Sequence, residues 1–171
     1  MRAAFLLILF LTAASFGAPA GATAVPRITL VVSDIDKSIT FYERLGMVKS
    51  SDEARTGAGQ IHGADDLPLT ADATRSRIVV MKGEGQTSEI ALLAYDRPPL
   101  ASARSNLMGL GTGDVIIGIV VPDLQAAYAA LDRIGARIEK GPNAFTAAPL
   151  GVRLYAYDPD GHMVELTQAG R

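Results

Sequence analysis

The chain has 171 residues, 49% of them apolar and 20% charged, with a formal net charge of -2 and no cysteine. Without cysteine, a disulfide-stapled scaffold, a cysteine-ligated zinc or iron–sulfur centre and a cysteine nucleophile are excluded. The apolar share is too high for a disordered chain, and sixteen Lys+Arg against eighteen Asp+Glu offer no broad positive field for a nucleic acid.

Arg2 precedes an apolar run over residues 5–11, and a softer Ala/Gly/Pro stretch leads to Ala22-Thr23-Ala24. A positive residue, a short apolar core and a small-x-small site predict a secretory signal peptide over residues 1–24, cleaved after Ala24. The apolar run is too short to cross a bilayer, which takes about 20 residues. The expected location is therefore secreted or periplasmic, with no stable membrane anchor after cleavage. The mature chain, 25–171, is expected to form one domain.

Residues 28–32 read as a buried strand, and Ser33-Asp34 punctuates it. Ile35, Ile39, Tyr42 and Leu45 then follow at helical spacing, with Asp34 as N-cap and Gly46 as stop. Further strand-like runs lie at 47–49, 78–81 and 89–95, while 52–74 is a long Gly/Asp/Thr-rich stretch expected as a loop. His62 within it is expected at the surface. Residues 96–113 read as a linker.

The pattern then returns. A strand at 117–121 is followed by Asp123 and by a stripe of Leu124, Tyr128, Leu131 and Ile134, which Gly135 ends. Asp34, Ile35, Leu45 and Gly46 recur 89 residues later as Asp123, Leu124, Ile134 and Gly135. Strand-like runs at 136–139, 152–157 and 163–167 complete the second copy, and Asp158-Pro159-Asp160-Gly161 marks a tight turn between the last two. The unit is one strand, one helix and three strands, repeated once over 27–95 and 114–168. Each copy leaves a sheet face it cannot bury alone, so the halves are expected to share an interior.

The segments ITLVVSDIDKSITFYERLGM (28–47) and YAYDPDGHMVEL (155–166) resemble the vicinal oxygen chelate superfamily of glyoxalase, bleomycin-resistance and extradiol dioxygenase proteins. The resemblance implies an α+β fold in which two βαβββ repeats form curved mixed sheets around a shared cleft. It also implies a divalent metal held by His and Glu from the first and last strands of each half. Those four positions correspond to Arg27, Ala91, Ile116 and Glu165, and Glu165 alone keeps a family-type ligand. The resemblance therefore points to a small-molecule cleft with no cofactor expected.

Strand alternation adds Glu89, which shares a face with Ala91, and places Thr29, Gly118 and Met163 on the same interior as the four positions. Tyr155 and Tyr157 share a face on the strand before the turn. Arg27 and Glu165 are the candidates for a functional clamp or for a neutralising ion pair. No catalytic residue is assigned. Three functions remain open: a binder of a small organic molecule; a lyase, isomerase or dioxygenase with a displaced divalent metal site; and a structural or interaction protein. A homodimer is a further expectation, and a nucleic-acid partner is not.

Overall fold

A computed structural model describes residues 24–57, 59–64, 67, 73–85, 87–97, 110–139, 146–148 and 151–168, with the backbone alone for 146–148 and 151–152. The predicted signal peptide and most of the linker lie outside the described residues. The first half comprises β1 (Arg27–Val31), α1 (Ile35–Arg44), β2 (Val48–Thr56), β3 (Arg75–Lys82) and β4 (Glu89–Tyr95). The second comprises β5 (Ile116–Val121), α2 (Leu124–Arg133), β6 (Thr146–Ala148), β7 (Gly151–Tyr157) and β8 (Met163–Gln168).

Both helices start as their sequences dictate. The Asp34 side chain accepts from the Lys37 backbone N–H at 3.1 Å, and Asp123 accepts from that of Ala126 at 2.9 Å. Each satisfies an N–H that the first helical turn leaves without a partner. Gly46 and Gly135 follow the C-caps with φ of 88° and 68°, a conformation that costs other residues a steric penalty.

Each half forms one mixed four-stranded sheet, in the orders β1-β4-β3-β2 and β5-β8-β7-β6. The β1–β4 and β5–β8 pairs are parallel and the others antiparallel. The expectation of curved sheets is corrected by this arrangement: the sheets border a cleft but are not strongly curled. Curling comes from closure or from repeated bulges. Here both sheets are open, and one register shift, between Lys49 and Ser51, interrupts the β2–β3 ladder.

Alternation turns one face of each sheet inward. Leu30, Val79, Met81, Ile90 and Leu92 from the first sheet meet Ile117, Ile119, Leu154, Val164 and Leu166 from the second in one cluster with α1 and α2. Tyr42 is fully buried and Tyr128 packs half-buried against the cluster. Among the described residues no helix is long and apolar enough to cross a membrane.

Two strand boundaries differ from expectation. β2 runs to Thr56, so the loop begins at Gly57 and not at Asp52. Its side chains are mostly polar, Val48 and Ala54 excepted, and all but Ser51 are exposed, as befits an edge strand, so there is little alternation to read. Residues 136–139 do not form a full strand. A single bridge joins Ile138 to Ala156, and the edge of the second sheet is instead β6, whose small residues give no periodic signal.

Candidate functional site

The faces of the sheets turned away from the helices carry the predicted site residues. On the first sheet, Arg27, Glu89 and Lys82 stand in register across β1, β4 and β3, and Thr29, Ala91 and Val80 form the next row. On the second, the rows are Ile116–Met163–Tyr157, Gly118–Glu165–Tyr155 and Val120–Thr167–Arg153 across β5, β8 and β7.

Arg27 and Glu165 do not pair. Arg27 lies beside Glu89 in the parallel β1–β4 register, and its Nη2 donates to Glu89 Oε2 at 2.9 Å. Lys82 Nζ stands 3.8 Å from the other Glu89 oxygen. Arg27 is 45% exposed, so this pair belongs to the surface class that contributes roughly 0.2–1 kcal/mol. Glu165 is held by Arg153, whose Nη1 lies 2.7 Å from its Oε1. Arg153 and Glu165 are diagonal neighbours on β7 and β8, a separation that a long arginine side chain spans.

Tyr155 completes this second cluster. Arg153 Nη1 donates to the Tyr155 hydroxyl at 3.2 Å, and that hydroxyl donates to Glu165 at 3.4 Å. The Tyr155 contact first, and the Glu165 charge with it, raise the Arg153 pKa above its ordinary value. The guanidinium therefore stays charged throughout the physiological range. Among the described residues its buried Nε has no hydrogen-bond partner.

Beside Glu165, an added Cβ on Gly118 would meet nothing within 4 Å. Ile116 and Val120 flank this gap with 42% and 57% of their surface exposed. Thr29 is also exposed. Ala91 and Met163 are buried, and Tyr157 is buried with the Arg137 guanidinium over its ring at 4.1 Å.

Arg153 was missed by the sequence reading, although the signal was present. It stands two residues before Tyr155 and so on the same strand face as both tyrosines. His62 is buried and not at the surface. Its backbone N–H donates to Ser76 Oγ at 2.9 Å, and the Tyr95 hydroxyl donates to its carbonyl, fastening the start of the long loop to the first sheet. Burial, and Arg55 after it, lower the His62 pKa from its ordinary value. No spacing in the loop announces this docking.

A separate groove of about 780 Å³ opens at the helix side of the molecule, between the start of α1 and the end of α2. Asp34, Lys37, Phe41, Ile134 and Arg137 are among its walls. It shares Tyr157 with the predicted residues and does not reach Glu165.

The residues at the family's metal positions do not fit a divalent ion. Arg27 is a cation, Ala91 and Ile116 carry no donor, and the Glu165 carboxylate is already engaged by a guanidinium. Among the described residues no group of three or more His, Asp or Glu side chains is placed to hold a metal.

Paired strand–helix–three-strand units, each forming its own mixed sheet, define the class of fold as that of the glyoxalase-like proteins. The sequence profile of the Glyoxalase/Bleomycin resistance protein/Dioxygenase superfamily matches residues 24–166, and the chain belongs to that superfamily. No curated protein shows significant sequence similarity to it. Among solved structures it is similar to a glyoxalase family protein from Bacillus cereus, with a TM-score of 0.67 at 18% identity over 90% of this chain and 98% of that one. It is similar to a trypanothione-dependent glyoxalase I from Leishmania major, with a TM-score of 0.55 at 20% identity over 86% and 87% of the two chains. A third likeness is to TnmS3, an antibiotic-binding protein from a Streptomyces species, with a TM-score of 0.55 at 18% identity over 88% and 99%. At these identities the likenesses establish the fold.

Proposed function

We propose that this is an exported protein that binds a small organic molecule against the outer face of the second sheet, without a family-type metal centre. The observation that carries the reading is the open space at Gly118, set beside the Glu165–Tyr155–Arg153 cluster and between two exposed apolar side chains. A glycine within a strand weakens it unless something must approach closely. An apolar rim around a few fixed polar groups is the usual make-up of a small-molecule site.

Gly118→Val tests this directly. Valine favours strands, and the added side chain has room, so folding stability is expected to be unchanged or raised by up to about 1 kcal/mol. The same side chain fills the space proposed for the ligand. A thermal-shift screen of metabolites and drugs is expected to yield stabilising compounds for the native chain and none of these for Gly118→Val. A hit whose effect is the same in both proteins would place the binding elsewhere.

Export is supported by the pattern of residues 1–24 and by a family match that begins where that pattern ends. Intact mass of protein recovered from the exporting cell is expected to lack residues 1–24, and retention of them would refute cleavage. A homodimer is supported by the edges of the sheets. β1 and β5 are both edge strands, and Val31 and Val120 on them are 45% and 57% exposed. Unpaired strand edges with apolar side chains invite a second chain.

A further inference from the structure

We infer that Arg153 is the anchor for a carboxylate, so that the molecule bound on the second sheet is a small organic acid with an apolar body. This rests on the reading that a ligand occupies the space at Gly118. A guanidinium has two faces for hydrogen bonding. In Arg153, Nη1 is fully occupied by Glu165 Oε1 and the Tyr155 hydroxyl. The opposite edge, formed by Nε and Nη2, is the one that receives a planar carboxylate through two parallel hydrogen bonds. Its buried Nε has no acceptor among the described residues. A charged donor deprived of both water and partner is rare and costly, and it marks a position where an acceptor belongs.

The glutamate does not fill that role. It neutralises the arginine through Nη1 and holds the guanidinium in place, with Tyr155 bridging the two. Recognition of the acid is then a matter of hydrogen-bond direction more than of net charge. Receiving the carboxylate asks for a small shift of the arginine side chain, which is 30% exposed.

Register sets the size of the ligand. Arg153 stands on β7 and the gap at Gly118 on β5, with β8 between them. Arg153 sits in the row of Val120, so two strand spacings across and two residues along separate it from Gly118, about 12 Å in all. A ring seated at Gly118 between Ile116 and Val120, joined by a short chain to a carboxylate at Arg153, spans that distance. The chemical class is an arylalkanoic acid or an aliphatic acid of similar length.

The test uses the mature chain and the series from phenylacetate to 6-phenylhexanoate, each against the alcohol of equal length, with affinities measured by calorimetry at pH 7. At least one acid is expected to bind ten or more times tighter than its alcohol. Arg153→Lys keeps the charge opposite Glu165 but loses the planar fork, and it is expected to erase that preference. Its melting temperature should stay within a degree or two of the native value, which separates lost recognition from lost folding. Acids and alcohols that bind equally, with both abolished by Gly118→Val, would overturn the carboxylate anchor and leave the site standing. A series in which nothing binds, or in which Gly118→Val has no effect, would overturn both.

Discussion

Residues 25–100 expressed alone are expected to be unfolded, or to self-associate. That segment of about 75 residues contains one helix and one four-stranded sheet, a size at which a complete core is already marginal. Its core is not complete. Leu30, Val79, Ile90 and Leu92 belong to the same cluster as Ile117, Ile119, Leu154 and Leu166 of the other half, and α1 packs on α2. Without the second half these side chains face water, at a cost of roughly 25 cal/mol for each Å² of apolar surface. The halves are also joined by polar links. The Tyr42 hydroxyl donates to Asp158 across the interface, and the Ser33 backbone N–H donates to Asp160. Circular dichroism with size exclusion reads the outcome. A monomeric first half that unfolds cooperatively would show that the shared core is not needed.

Asp158→Ala is expected to destabilise the full chain by about 3 kcal/mol, the range for removing a fully buried carboxylate that accepts several hydrogen bonds. The Asp158 side chain has no exposed surface. Its Oδ1 accepts the backbone N–H groups of Asp160 and His162 at 3.0 and 2.8 Å, closing the Asp-Pro-Asp-Gly turn. Its Oδ2 lies 2.9 Å from His162 Nδ1 and accepts from the Tyr42 hydroxyl at 3.2 Å. Burial, and then the Asp158 charge, raise the Tyr42 pKa well above its ordinary value, so the phenol remains a donor at any working pH. Tyr42→Phe removes one of these bonds and is expected to cost about 1 kcal/mol. Urea denaturation measures both. A loss under 1 kcal/mol for Asp158→Ala would show that the turn holds itself together without the carboxylate.

The repeat was legible because each of its landmarks has a local cause. Asp34 and Asp123 cap helices through their own side chains, Gly46 and Gly135 take positive φ, and the apolar stripes follow the helical period. The Asp-Pro-Asp-Gly turn was equally plain. The edge strands were not, since β2 is mostly polar and exposed on both faces and β6 is built of small residues, so neither carries the alternation that marks a half-buried strand. The shape of the sheets was also hidden, because curling depends on closure and bulges that one strand's pattern does not encode.

In the site, alternation says which candidates share a strand face and leaves their partners unstated. Arg27 and Glu165 both occupy family ligand positions, which does not make them partners. Pairing is decided by register, and register puts Glu89 next to Arg27 and Arg153 within reach of Glu165. His62 shows the opposite limit. Its burial comes from a loop folding back onto Ser76 and Tyr95, contacts that no periodic pattern records.

Binding of a ligand on the second sheet beside Glu165, as proposed, is tested by amide chemical-shift mapping with 4-phenylbutanoate. The largest shifts are expected at Ile116, Gly118, Val120, Tyr155 and Glu165. Shifts confined to Asp34, Lys37, Ile134 and Arg137, around the groove between the helices, would contradict it.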